Sequence, residues 1–152
     1  MKRRPGFTLV ELMTVIVLIG GLAAIALPHM ASANRRAEAA AIVHDFTTVR
    51  LAAALRFVET DTYPETAAAG VVPPELVTYL PDGFQFQHAG GAVLFRWRRW
   101  SLPNGMPQDE SQTVLVGLEI TSENEELMSA IQNAYSGGQA FGTQTKVVFI
   151  IL

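Results

Sequence analysis

The chain has 152 residues, of which 49% are hydrophobic and 16% charged, against roughly 25% charged in an average soluble domain. With 14 acidic residues, 11 basic residues and no cysteine, it is neither a disordered chain, nor a disulfide scaffold, nor a Cys-based zinc protein. The acidic balance argues against a broad nucleic-acid surface, and the presence of one long apolar segment excludes a multi-span transporter.

Lys2, Arg3 and Arg4 open the chain. Residues 7–27 (FTLVELMTVIVLIGGLAAIAL) then hold 16 apolar residues, two Thr, two Gly and a single charge, Glu11. A helix rising about 1.5 Å per residue crosses an apolar core of about 30 Å in about 20 residues, so this segment predicts one crossing. Basic residues ahead of it put the N-terminus in the cytoplasm and the remainder outside. Three readings are open. A secretory signal peptide fits the basic start and Ala31-Ser32-Ala33, an A-x-A-like cleavage site before Asn34, although the apolar region exceeds the usual length of about 7–15 residues. An uncleaved signal anchor fits equally well. Neither explains Glu11, because a carboxylate inside a membrane helix is costly and marks function by default. The third reading is a specialised segment in which Glu11 has a task.

The residues Arg4-Pro5-Gly6-Phe7-Thr8-Leu9-Val10-Glu11 resemble the processing motif of type IV prepilins and type II secretion pseudopilins. The match consists of a short basic leader ending in Gly6, then Phe7, then Glu11 and the apolar run. It extends to Pro28, where that family commonly carries a helix-interrupting proline. The resemblance covers about the first 30 residues and implies a specific chemistry. A membrane aspartyl peptidase cuts after Gly6 on the cytoplasmic side and methylates the new amine of Phe7. Gly6, lacking a Cβ, lets the extended backbone approach the peptidase closely. Loss of residues 1–6 leaves 8 basic against 14 acidic residues, a net charge of −6. Glu11 lies one helical turn from the Phe7 amine. The resemblance implies that in a filament it meets the Phe7 amine of a neighbour, setting register more than stability because desolvation offsets the attraction.

The same resemblance implies a non-enzymatic subunit of a type II secretion-type pseudopilus that drives protein export. The alternatives are a major or minor type IV pilin for adhesion, motility or DNA uptake, and a generic secreted or anchored binding domain. Implied partners are other pilin-like subunits, the prepilin peptidase and an inner-membrane assembly platform. The implied location is the bacterial cytoplasmic membrane, crossed once with the body in the periplasm, and then an extracytoplasmic filament. The expected organisation is a leader (1–6), a transmembrane and assembly half of the helix (7–28), and a periplasmic globular domain (29–152). That domain divides into helix 32–60, loop 61–83 and sheet region 84–152. A disulfide loop of the kind many major pilins carry is excluded by the absence of cysteine.

Along the chain, Gly20-Gly21 and Pro28 soften the first helical stretch, and Pro28 frees the carbonyl of Ala24. Helical periodicity resumes over 32–59, where Ile42, Phe46, Val49, Ala53 and Phe57 form one apolar face. One helix over about 7–60, interrupted near Pro28, is therefore predicted. Residues 61–83 carry Pro64, Pro73, Pro74 and Pro81 and read as a long loop with a helical turn at 74–80. Tyr63-Pro64 resembles a pair common after this helix in pseudopilins. Strands are predicted at 84–88, 92–100, 113–120 and 145–152, with Phe84 and Phe86 on one side of the first. In the second, Val93, Phe95 and Trp97 face one side, and Leu94, Arg96 and Arg98 the other. A helix over 123–135 is predicted, with Ser122 and Glu125 as a capping box and Leu127, Ile131, Ala134 and Tyr135 as its apolar side. Gly137-Gly138-Gln139-Ala140-Phe141-Gly142 reads as a loop. The fold class is α+β, a pilin-like lollipop: a long N-terminal helix packed on a small antiparallel sheet of about four strands, with one short C-terminal helix.

Catalytic constellations are absent from the sequence. His29, His44 and His88 are scattered, and no ligand spacing for a metal appears. No cofactor is expected, with calcium as the alternative. Glu123, Glu125 and Glu126 suit a helix N-terminus, and Asp109, Glu110 and Glu119 reach the six or more oxygens calcium needs only if the fold gathers them. Arg96, Arg98 and Arg99 flank Trp97 and Trp100. They read either as a single-stranded DNA contact or as a strand with Trp97 buried and the arginines solvated or paired with acids.

Overall fold

The computed structural model describes residues 7–103, 112–135 and 140–151. They form helix α1 (Leu9–Thr60) and strands β1 (Gln87–His88), β2 (Val93–Pro103) and β3 (Gln112–Ser122). Helix α2 (Glu125–Ala134) and strands β4 (Ala140–Gly142) and β5 (Lys146–Ile150) complete the chain. Two compact units divide it, one ending at Arg35 and the other starting at Arg36.

In the first unit, α1 stays helical through Pro28, so the predicted interruption does not occur. A proline in a helix deletes one N–H and its bond to the carbonyl four residues back, here that of Ala24, while the flanking bonds persist. None of the described residues of this unit is buried. A helix that is apolar all round and covers none of that surface matches a hydrocarbon environment rather than water.

In the second unit, α1 buries Ala39, Ile42, Phe46, Val49, Ala52 and Ala53 on one side. Four of the five residues predicted for that stripe are among them. The fifth, Phe57, remains 37% exposed, with its ring stacked on Tyr63 at 4.5 Å. Asp61 stops the helix in a left-handed conformation (φ 54°), its N–H donating to the Phe57 carbonyl at 2.8 Å. Tyr79 locks this end by donating its hydroxyl to Glu59 at 2.6 Å. That bond to a carboxylate, followed by burial, raises the Tyr79 pKa, while burial alone raises that of Tyr63.

The sheet has five strands in the order β1-β2-β3-β5-β4, every neighbouring pair antiparallel. Side chains alternate as a pleat requires. Val93, Phe95 and Trp97 of β2, Val116, Leu118 and Ile120 of β3, and Val147 and Phe149 of β5 are fully buried. Burial of a large apolar side chain contributes roughly 1.5–3 kcal/mol, so this face is the main source of the unit's stability. Helix α1 closes it through Phe46, whose ring lies 5.0 Å from Phe149 and 5.3 Å from Tyr135. Gly117 is forced by close packing, since a Cβ there would sit 2.7 Å from the Phe149 carbonyl oxygen and 3.2 Å from the Trp100 ring.

Three sequence expectations change. The strand at 84–88 shrinks to Gln87–His88: the Phe86 carbonyl still accepts the Phe95 N–H at 2.9 Å, but the Phe84 N–H turns back to the Pro81 carbonyl at 3.1 Å. The loop at 137–142 supplies a fifth strand, β4, at 140–142. It is too short and too glycine-flanked to show a period. The cap of α2 is Asn124, not Ser122: β3 holds Ser122 in extended backbone, and Asn124 Oδ1 accepts the Leu127 N–H at 3.0 Å. The Ser122 hydroxyl instead accepts the Asn124 N–H at 3.1 Å. Helix α2 buries Leu127, Met128 and Ile131, while Ala134 is exposed.

The predicted turn near 74–80 is a 3-10 helix at Pro74–Tyr79. The segment before it is more ordered than a loop. Residues 64–70 run along the side of β2 that β1 leaves open. Gly70 N–H donates to the Phe95 carbonyl at 2.7 Å and Ala67 N–H to the Trp97 carbonyl at 3.2 Å. Arg99 N–H donates to Thr66 Oγ1 at 3.0 Å, and the Trp97 indole N–H donates to the Pro64 carbonyl at 3.0 Å. Gly70 has a positive φ of 75°, which frees its N–H to point at the strand.

Candidate functional site

Chemistry concentrates at the head of α1. Gly6 lies outside the described residues; Phe7 is exposed, and Thr8 stands just ahead of α1. Thr8 N–H and Thr8 Oγ1–H both donate to Glu11 Oε2, each at 2.8 Å. Glu11 N–H in turn donates to Thr8 Oγ1 at 3.2 Å. This reciprocal arrangement is a capping box, Thr-x-x-Glu, which satisfies otherwise orphaned N–H groups at a helix start. Glu11 also sits in the first helical turn, where the partial positive charge of the N-terminus favours a carboxylate. A residue that looked anomalous in an apolar run thus has local partners within its own turn. Thr8 was missed as a site residue, although the Thr8-Leu9-Val10-Glu11 spacing was the signal that reveals it.

Beyond Glu11, α1 is long and apolar enough to cross a membrane, and none of its apolar window is buried within the protein. Thr14 Oγ1 returns to the Val10 carbonyl at 2.9 Å, so this polar side chain is also satisfied locally. Pro28 lies inside the same helix.

The basic-aromatic strand is divided between two faces. Arg96 points to the outer face of the sheet, 3.3 Å from Glu119, which also lies 3.5 Å from Lys146. Arg98, on that face too, lies over the Trp100 ring at 5.5 Å. Arg99 projects to the opposite side and pairs with Glu65. Trp97 is buried. Two of the three arginines therefore meet carboxylates, and the three form no single groove for a phosphate backbone.

Among the described residues, no three or more His, Cys, Asp or Glu side chains gather where a metal ion would sit. Of the carboxylates considered for calcium, Asp109 and Glu110 lie outside the described residues, and Glu119 is held by Arg96 and Lys146. His88 is drawn to Asp45 on α1, Nδ1 to Oδ2 3.4 Å, with its ring 4.5 Å from Phe95.

The family described as "Prokaryotic N-terminal methylation motif" matches residues 1–27. The type II secretion system core protein G of Pectobacterium carotovorum subsp. carotovorum is 30% identical over 89 residues, covering 54% of this chain and 57% of that protein. The core protein G of Klebsiella michiganensis is 31% identical over 90 residues, 55% of this chain and 63% of that protein. That of Klebsiella pneumoniae is 33% identical over 66 residues, covering 43% and 47%. The chain thus spans between about half and just under two thirds of these relatives. No solved structure matches it significantly. In its methylation motif, and over part of its length, the chain is thus similar to type II secretion core proteins G, and it carries a long uncovered apolar helix followed by an antiparallel sheet.

Proposed function

We propose that the chain is a subunit of a type II secretion-type pseudopilus, a structural rather than catalytic component of protein export. The observation that carries this reading is the Thr8–Glu11 capping box at the head of an uncovered apolar helix. It is supported by relatives that are core proteins of type II secretion. The subunit is made with a leader, cut after Gly6 by a prepilin peptidase and N-methylated at Phe7. It crosses the cytoplasmic membrane once with its body in the periplasm, and an inner-membrane assembly platform adds it to other pilin-like subunits. Glu11 is the registering group: its carboxylate, oriented by Thr8, attracts the Phe7 amine of the neighbour in a low-dielectric filament core. Pro28 marks where the helix has one fewer backbone bond to lose when the subunit leaves the bilayer.

The test is the mature N-terminus together with secretion. Mass spectrometry of protein from the native host is expected to give N-methyl-Phe7 as the first residue, and a deletion strain is expected to retain exoproteins in the periplasm. A mature chain starting at Asn34 means signal-peptidase cleavage and overturns the reading. Normal export with loss of a surface fibre shifts it to a type IV pilin.

A further inference from the structure

The sheet of the second unit is covered on one side only. Every buried residue of α1 and α2 belongs to the core that holds the inward residues Trp97 and Phe149, and none of the described outward side chains of β2, β3 or β5 does. The outward side carries Arg96, Arg98 and Trp100 of β2, Glu119 of β3, and Lys146 and Ile150 of β5.

The charge of that side opposes the charge of the chain. Arg96 and Lys146 share Glu119 at 3.3 and 3.5 Å, and Arg98 is the third base, so three positive groups against one negative give +2 on a chain of formal charge −3. Arg98 meets no carboxylate among the described residues, and its guanidinium instead lies 5.5 Å from the centre of the Trp100 ring. That seat restrains the guanidinium and leaves N–H groups at its edge for a carboxylate, which takes them two at a time. Gly117 leaves room beside it. A Cβ there would lie 3.2 Å from the Trp100 ring and 3.5 Å from Ile150, so an aromatic and an aliphatic side chain converge where β3 has none of its own.

We propose that this outward side is a docking surface for an acidic polypeptide segment of another protein, one that sets a carboxylate on Arg98 and an aromatic side chain beside Trp100 and Ile150. Charge complementarity selects the acid, and tryptophan and arginine are among the residues in which interfaces concentrate their affinity. A nucleic acid fits less well. A phosphate backbone laid from Arg98 to Lys146 passes over Glu119, and the third arginine of the strand, Arg99, faces the other way, toward Glu65. A second copy fits less well too, because the carboxylates nearest in sequence to its exposed Phe7 and Phe57 are Glu11 and Glu59, already bonded to Thr8 and Tyr79. The contact needs only the folded second unit, so it stands or falls apart from the pseudopilus reading.

In the test, the full-length chain in dodecyl maltoside micelles is titrated against a fluorescein-labelled random copolymer of glutamate and tyrosine, read by fluorescence anisotropy. Saturable binding is expected, tighter than that of polyglutamate. Arg98→Ala is expected to weaken it at least about tenfold, with the melting of the second unit unchanged. Arg98→Lys is expected to recover only part of the loss, since lysine keeps the charge but not the planar fork. Arg50→Ala, which removes an exposed arginine from α1, is expected to leave binding as it is. No saturable binding overturns the proposal, and so does equal weakening by Arg98→Ala and Arg50→Ala, which marks charge attraction without a site. Tighter binding of labelled oligodeoxythymidine assigns the side to nucleic acid, and loss of copolymer binding in micelles doped with phosphatidylglycerol assigns it to lipid headgroups. Self-association that Arg98→Ala abolishes assigns it to a second copy. Each of these three outcomes overturns the proposal as well.

Discussion

The two halves of α1 share one secondary structure but obey different rules. In the first unit no described residue is buried, whereas in the second unit six residues of the same helix are buried on one side. The difference teaches that helix formation says little about solvent. The first half is apolar all round and the second in stripes, so the environment is written in the angular distribution of the apolar residues rather than in their number. The polar groups follow the same division. In the first half Glu11 and Thr14 find partners within one turn, while in the second Glu59 reaches across to Tyr79 and Asp45 to His88.

Substitutions confined to one half break this comparison most clearly. Glu11→Leu has the largest expected effect: filament assembly is nearly abolished, while processing after Gly6 and membrane insertion persist. Recovery of sheared filaments, with mass spectrometry of the N-terminus, measures both, and normal incorporation of the variant sinks the registering role. Next is Trp97→Ala, which empties a fully buried site and strands the Pro64 carbonyl. It is expected to destabilise the second unit by about 3–5 kcal/mol in chemical denaturation without altering membrane insertion. Gly117→Ala drives a methyl against the Phe149 carbonyl and is expected to cost about 1–3 kcal/mol in the same assay. Thr8→Val removes the cap and is expected to cost the helix start about 1 kcal/mol. Faster amide exchange in the first turn checks it, with the melting temperature of the second unit unchanged.

The smallest effect concerns pH. The raised pKa values of Tyr63 and Tyr79 mean that ionisation opposes the folded state. Their contribution is fully present below the ordinary tyrosine value near 10.0 and is lost as pH climbs through the raised values. Thermal midpoints are expected to fall more steeply above that pH in the wild type than in Tyr79→Phe. Equal slopes remove the Tyr79–Glu59 bond from the account.

Legibility in the sequence followed the strength of local periodicity. The inward side of β2 was readable because Val93, Phe95 and Trp97 alternate cleanly, and the structure sets Ile120 opposite Phe95 and Leu118 opposite Trp97. Glu11 stood out because a lone carboxylate in an apolar run is conspicuous. Thr8 did not, because a threonine there blends into the run and its role depends on a bond three residues away. Strand β4 and the Asn124 cap escaped because one is three residues long and the other was decided by where β3 ends. The face-splitting of the arginines was half legible: alternation separates Arg98 from Arg99, but Glu65 and Glu119 arrive from distant sequence.

The backbone of residues 64–70 lying against β2 has a consequence for the assembly proposed above. An exposed sheet edge invites any neighbouring chain to add a strand, and crowded copies would aggregate through such edges instead of forming ordered contacts. Here the longer edge is occupied by the chain's own segment, tied at Thr66, Ala67 and Gly70, and the other outermost strand is only three residues long. Tyr63-Pro64, the start of that segment, thus guards against edge-to-edge aggregation, and in the proposed pseudopilus it leaves helix contacts as the route of assembly.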